Sequence, residues 1–192
     1  VKGKGSYYSI ANKQLNQKDD NVDEIFRHEY GHHIDYEIRE LLSGAPTFRA
    51  QSERDLLFAK AFAGDRSELG LRTRKTRFDA IERLRSELYT NVTEQKSFGA
   101  YETWNVKSMD YAQISDIIDA MTEGLSYNSY QMWGHGKSYY KDKGKRYKET
   151  FACLSAIRGK PESWAMAQKL FPRLCERYDD IIRMAIRKGK GS

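Results

Sequence analysis

Cysteine, histidine and long apolar runs are all scarce in this chain of 192 residues. It has only two cysteines, Cys153 and Cys175, which fall in predicted helices without CxxC spacing. The sequence therefore excludes a disulfide-rich scaffold and predicts two buried free thiols. No apolar run approaches the roughly 20 residues that cross a bilayer, and the first residues lack the apolar stretch of a signal peptide. We expect a soluble globular protein with no membrane partner.

Neither sign of charge dominates the composition. The 33 Lys and Arg are offset by 27 Asp and Glu, which leaves a formal charge of +6. Because the basic residues are scattered along helical stretches, a solvated basic surface is favoured over a specific nucleic-acid interface. Hydrophobic residues make up 39% of the chain, enough for a core. The length suits one domain over residues 1–192, which we expect to be monomeric in isolation.

The apolar pattern is mainly helical. A strand is predicted over residues 6–11, and a helix from about 22 to about 42 begins with the capping-box pattern of Asn21 and Glu24. Further helices are predicted over 47–64, 76–97, 109–124, 148–159, 161–170 and 172–188. Gly64 and Gly124 are expected to end the first and third of these.

Two segments in the middle of the chain carry further predictions. The segment 125–147 is rich in Tyr and Gly without a steady period, which predicts a loop or short hairpin. The helix over 76–97 would present one apolar face made of Phe78, Ile81, Leu84, Leu88 and Val92. Such a stripe indicates core packing.

Three of the four histidines lie within FRHEYGHHID, residues 26 to 35. His28 and His32 are four residues apart on a predicted helix, so both imidazoles can bind one zinc ion at about 2.0–2.1 Å. Glu29 is offset from this pair and can take a proton from a water activated by the metal, for attack on an amide carbonyl. Gly31 allows a neighbouring segment to approach closely, and His33 points away from the pair. The pattern predicts Zn²⁺ as cofactor and a polypeptide substrate. The alternative is a surface helix rich in histidine.

A catalytic zinc normally has three protein ligands and one open position. The candidates for the third ligand are Asp35, Glu123 and Glu149. Because one straight helix rarely supplies all three ligands, Asp35 is expected to orient a ligating histidine instead. We favour Glu149, which begins a helix that Phe151, Leu154 and Ile157 would anchor to the core.

Four motifs carry a resemblance to known families. HEYGHHID followed by KETFA resembles the gluzincin zinc metallopeptidases, in which a glutamate on a later helix is the third ligand. In order, HEYGHHID, SDIIDAMTEG, GHGKSYY and ETFACLSA resemble the metallopeptidase-like domain of phage minor head proteins of the Mu F type. The chain is also similar in outline to the lethal-factor-like peptidases. The motifs span residues 28 to 156, and residues 43 to 108 carry no resemblance.

The resemblance implies a fold, a site and a setting. The fold would be α+β and mainly helical, zincin-like, with a small twisted sheet and the HExxH helix over about 1–42 and a helical lobe over about 43–188. His28, His32 and Glu149 would bind zinc, with Glu29 as the base. Phage head components would be partners, and the protein would act in the bacterial cytoplasm or the phage virion.

Further site residues are predicted around this centre. His135, Tyr139 and Tyr140 lie 9 to 14 residues before Glu149. His135 or Tyr140 could stabilise the oxyanion, and Tyr139 could contact substrate. The alternative is that both tyrosines only pack and that His135 lines a turn. By analogy with zincins, the strand bearing Tyr8 and Ile10 would pair with an extended substrate.

Two rival functions remain open. One is a phage structural module in which a silent site acts as a zinc-stapled interaction domain. The other is a basic nucleic-acid-binding domain.

Overall fold

The fold is known from a computed structural model. It describes residues 7–9, 14–16, 22–43, 53–96, 99–107 and 109–190. Within these residues the chain is mainly helical, as the sequence predicts. It divides into two compact units, a first unit of Val1–Asp65 with Tyr147–Ser192 and a second unit of Arg66–Arg146. None of the described helices combines the length and apolar character of a membrane span.

The first unit begins with a short hairpin followed by a long helix. Strands β1, Tyr7–Ser9, and β2, Gln14–Asn16, pair antiparallel with Tyr8 opposite Leu15. The predicted strand over 6–11 is confirmed for its described residues, whereas β2 was not predicted because its sequence is polar. Helix α1, Val22–Ser43, confirms the predicted helix over 22–42. Asn21 and Ile10 lie outside the described residues.

Helix α2, Glu53–Glu68, continues past the glycine that was predicted to end it. A glycine inside a helix costs about 1 kcal/mol relative to alanine. Tertiary contacts explain the continuation, since a Cβ on Gly64 would lie 2.8 Å from Cδ of Arg173. The next residue, Asp65, is completely buried and accepts hydrogen bonds from the backbone N–H groups of Arg173 and Leu174. The predicted end at Gly64 is therefore wrong.

The core of the first unit forms around the three C-terminal helices. They are α7, Lys143–Ile157, α8, Pro161–Leu170, and α9, Pro172–Lys190. Phe151, Leu154 and Ile157 are buried on α7, as predicted. The ring of Phe151 lies 4.9 Å from that of Tyr178 and 6.0 Å from that of Phe58. Burying each such side chain stabilises the fold by about 1.5–3 kcal/mol. These contacts fix the orientation of α7.

The second unit begins with a helix that gives way to a hairpin. Helix α3, Arg74–Leu88, is followed by strands β3, Tyr89–Lys96, and β4, Gly99–Val106, which pair antiparallel. The predicted helix over 76–97 is therefore wrong beyond Leu88. The segment after Leu88 is rich in aromatic and β-branched residues, which favour a strand once a partner strand is present.

The predicted apolar face of that helix is correct only in part. Ile81, Leu84 and Leu88 are completely buried, as predicted. Phe78 is 59% exposed, and Val92 belongs to β3. Phe78 instead lies near Tyr130, with ring centroids 5.9 Å apart.

Short helices occupy the segment that was predicted to be a loop or hairpin. After α4, Met109–Met121, come α5, Leu125–Tyr130, α6, Gly136–Tyr140, and the first residues of α7. Helices of five or six residues are too short to show a helical period, which explains the error. Gly124 has φ 82° just after α4, as predicted, and a Cβ there would lie 2.1 Å from the carbonyl carbon of Gly136. Only glycine fits this position.

Candidate metal centre

Helix α1 places two imidazoles beside a buried carboxylate. The rings of His28 and His32 are one helical turn apart, with centroids separated by 4.9 Å and planes at 85°. Nε2 of His28 lies 3.1 Å from Oε2 of Glu149, and Nε2 of His32 lies 3.3 Å from the same oxygen. The three residues predicted as metal ligands therefore place their donor atoms close together.

Gly31 explains how α7 comes close enough to bring Glu149 to the histidines. A Cβ built on Gly31 would lie 2.8 Å from Cα of Ala152 and 2.9 Å from Cβ of Ser155. No side chain fits there, because real Cβ atoms essentially never come this close to other heavy atoms. The predicted close approach at Gly31 is confirmed, and the approaching segment is the helix that carries the acidic ligand.

The three donor atoms suit a metal ion. Zinc bonds of about 2.0–2.1 Å in tetrahedral geometry place neighbouring donors roughly 3.3 Å apart. The observed separations of 3.1 and 3.3 Å between Nε2 and Oε2 are close to that edge length. Among the described residues, His28, His32 and Glu149 form a group that could hold a metal ion. Two imidazole nitrogens and one carboxylate oxygen leave a fourth position open.

The electrostatics of the centre favour a cation. Burial by itself raises the pKa of Glu149, but hydrogen bonds and positive charge from His28 and His32 outweigh it and hold that pKa well below its ordinary value. Burial lowers the pKa of His28, but Cys153 and Glu149 outweigh this effect and hold that pKa well above its ordinary value. Both shifts favour a protonated imidazole beside an ionised carboxylate when no metal is bound. A divalent cation can replace that proton.

A cysteine beside the centre was missed by the sequence reasoning. Sγ of Cys153 lies 3.7 Å from Nδ1 of His28, on the side of the ring away from Glu149. Cys153 follows Glu149 by one helical turn, and this spacing was the available signal. Cys153 and Cys175 are both buried thiols that form no disulfide, as predicted.

Glu29, the predicted base, lies next to His28 on α1 and is 9% exposed. Among the residues that the structure describes, it makes no hydrogen bond or ion pair. Its carboxylate is thus not committed to a structural contact there. Its role as the base remains a prediction.

The other polar residues of α1 have partners along the helix. Asp35 is buried, and its Oδ2 lies 3.0 Å from Nε of Arg39. Its role in orienting a ligand remains a prediction. His33 lies against the ring of Tyr30, with centroids 5.4 Å apart, and is not among the described residues that could hold a metal ion.

In the second unit, the predicted oxyanion residues gather around a buried aspartate. Nδ1 of His135 lies 3.0 Å from Oδ2 of Asp116, and the hydroxyl of Tyr140 donates to Oδ1 of Asp116 at 2.6 Å. The ring of Tyr139 stacks on His135 at 4.4 Å between centroids. Tyr140 is completely buried, which agrees with the alternative that it packs. Asp116 lies in SDIIDAMTEG, but no role was predicted for it.

Glu123 is one of the three candidates for the third zinc ligand. Its carboxylate forms ion pairs with Arg66 at 3.2 Å and with Arg146 at 3.1 Å. Tyr8 lies on β1, whose neighbour in the described residues is β2. The parts predicted for Tyr8, Ile10 and Tyr139 in substrate binding remain predictions.

No protein-family model matches this chain, and the curated proteins and the solved structures give no match either. The resemblance to phage-type metallopeptidase domains therefore depends on the four motifs alone. The proposed function rests on the geometry of His28, His32 and Glu149.

Proposed function

We propose that this protein is a zinc-dependent endopeptidase of the gluzincin type. The observation that supports it best is the convergence of two imidazole nitrogens on one carboxylate oxygen, at 3.1 and 3.3 Å. His28, His32 and Glu149 would hold the ion, with Glu149 delivered by a separate helix. The HExxH order places a further carboxylate, Glu29, between the two histidines in sequence.

The chemistry follows from this set of residues. A bound zinc ion supplies a Lewis acid that activates water and polarises the amide carbonyl. Glu29 would accept the proton of the attacking water and later deliver it to the leaving amine. It makes no hydrogen bond or ion pair among the described residues, which supports this role. Oxyanion stabilisation by His135 or Tyr140 belongs to the same proposal.

The proposal extends to the setting that the motifs imply. The chain would adopt a zincin-like fold, act on polypeptides such as phage head components, and work in the bacterial cytoplasm or the virion. The order of HEYGHHID, SDIIDAMTEG, GHGKSYY and ETFACLSA supports this extension.

Replacing Glu29 by Gln tests the proposal. Metal analysis of both proteins should give about one zinc per chain, because Glu29 is not a ligand. Cleavage of a broad peptide library should fall by roughly 10²–10⁴-fold, as for loss of a general base. Glu162→Gln, at an exposed position on α8, is the matched control and should cleave as the wild type does.

Three results would contradict the proposal. A wild-type protein that binds no zinc would remove the metal centre. Bound zinc without any cleavage would favour the zinc-stapled structural module. Loss of zinc in Glu29→Gln would show that Glu29 supports the structure of the site.

A further inference from the structure

One turn of α7 contacts both nitrogens of the His28 imidazole. Glu149 lies on the Nε2 side at 3.1 Å, and Cys153, four residues later, lies on the Nδ1 side at 3.7 Å. Residues four apart on a helix share a face. The ring is therefore held between a carboxylate and a sulfur on one rigid element.

The position of the sulfur excludes it as a ligand. The two ring nitrogens of an imidazole face different directions, so an atom at Nδ1 cannot also reach an ion at Nε2. Consistently, no group of described residues that could hold a metal ion includes Cys153. The sulfur instead faces the nitrogen that must carry a hydrogen when Nε2 binds a metal.

A histidine that binds a metal needs its second nitrogen fixed. Its N–H usually donates to a carboxylate, a backbone carbonyl or water, and losing that partner typically weakens metal binding by about 10- to 100-fold. Cys153 is completely buried, so bulk water does not compete for the contact. Sulfur is a weak acceptor, but a hydrogen bond to Nδ1 can fix both the tautomer and the ring angle of a histidine.

We propose that Cys153 is the positioning residue of the metal centre, with Sγ accepting a hydrogen bond from Nδ1–H of His28. This inference rests on the metal centre of the proposed function. It adds to that proposal the contact that orients the imidazole of His28.

Zinc affinity, measured by competition with a chromophoric chelator, tests this role. Cys153→Ala should bind zinc about 10- to 100-fold more weakly than the wild type. Cys153→Ser, which restores an acceptor, should stay within a few-fold of the wild type. Cys175→Ala is the matched control, since Cys175 is a buried thiol on α9 and is not among the described residues that could hold a metal ion. It should keep the wild-type affinity.

A cobalt-substituted protein adds a readout that mere packing would not change. The visible spectrum of the wild type should lack a sulfur-to-cobalt charge-transfer band, because the thiol is not a ligand. The ligand-field bands should shift in Cys153→Ala and remain in place in Cys175→Ala. Circular dichroism would identify folded variants, and Cys153→Val would replace Cys153→Ala if the alanine variant did not fold.

The outcomes separate this inference from the proposed function. A wild-type protein without zinc would overturn both. A zinc-binding wild type whose affinity is unchanged in Cys153→Ala would overturn only the role of Cys153. Equal loss in Cys153→Ala and Cys153→Ser would also overturn it, because an acceptor at this position would then make no difference.

Discussion

Glu149 in the first unit and Asp119 in the second are both buried carboxylates, but they face different donors. Asp119 accepts hydrogen bonds from the Ser126 hydroxyl and from the backbone N–H groups of Tyr127, His135 and Gly136. Glu149 faces the Nε2 atoms of His28 and His32. Backbone N–H groups can only donate, whereas an imidazole nitrogen can carry a proton or bind a metal.

The two carboxylates also differ in their charge balance. Burial raises the pKa of Asp119 in spite of its hydrogen bonds. Burial acts in the same direction on Glu149, but the two histidines outweigh it and lower the pKa. The comparison indicates that Asp119 organises the turns between α4 and α6, whereas Glu149 belongs to a group that could hold a metal ion.

Removing Glu149 should have the largest effect on metal binding. Zinc sites bind with about 10–16 kcal/mol, so losing one ligand of three or four should cost about 4 kcal/mol, or roughly 10³-fold in affinity. Chelator competition on Glu149→Ala measures this. Unchanged zinc affinity in Glu149→Ala would show that the ion binds elsewhere. Glu149 and Asp119 would then not differ in metal binding.

Removing Asp119 should affect stability and leave the metal in place. Asp119→Ala strands several buried donors, each worth about 1–3 kcal/mol, and we expect a loss of about 3–5 kcal/mol in the free energy of unfolding. Urea denaturation measures the loss, and metal analysis of the folded protein should still give one zinc per chain. Loss of zinc from Asp119→Ala without loss of stability would contradict the assignment of Asp119 to stability and Glu149 to metal binding.

Adding one methyl group at Gly31 should disturb the metal centre through packing alone. The Cβ of Gly31→Ala would lie 2.8 Å from Cα of Ala152, so α1 and α7 must separate. Overpacking of this kind destabilises a protein by about 1–3 kcal/mol. Because the strain falls on the helices that hold the ligands, zinc affinity should fall roughly tenfold.

Gly189→Ala is the matched control for this change. A Cβ at Gly189 meets no atom within 4 Å, so the substitution should cost neither stability nor zinc affinity. Equal behaviour of the two variants would contradict the role of Gly31 in bringing Glu149 to the histidines.

The smallest expected effect is a difference in pH dependence. Because the pKa of Asp119 is raised on folding, the folded state binds more protons than the unfolded state just above the ordinary value of 3.8. The stability of the wild type relative to Asp119→Asn should therefore decline as pH rises through that window.

Glu149 should give the opposite slope. Its pKa is lowered in the folded state. After a chelator has removed the metal, the stability that the wild type has over Glu149→Gln should therefore be lost as pH falls below the ordinary value of 4.5. Denaturation at a series of pH values measures both slopes. Slopes of the same sign would contradict the electrostatic difference between the two carboxylates.

Much of the metal centre could be predicted because its signals are local. The spacing of His28 and His32 depends only on the period of a helix, and the apolar neighbours of Glu149 predict that it lies on a helix. The predicted start of that helix at Glu149 is wrong, because α7 begins at Lys143. Gly31 could be recognised as a point of close approach because glycine has no side chain. These features need no knowledge of the remaining chain.

The errors came from segments whose structure depends on distant partners. Helix α2 continues through Gly64 because Asp65 binds the start of α9, more than 100 residues away in sequence. Residues after Leu88 form a strand because β4 pairs with them. The short helices α5 and α6 are organised around Asp119.

The sequence by itself determined that α1 presents two imidazoles on one face and that the chain is mainly helical. Only the tertiary structure decided which carboxylate lies beside those imidazoles. It also placed Cys153 against Nδ1 of His28. The physical reason is that helical periodicity is set by neighbouring residues, whereas the meeting of α1 and α7 depends on the packing of side chains far apart in sequence.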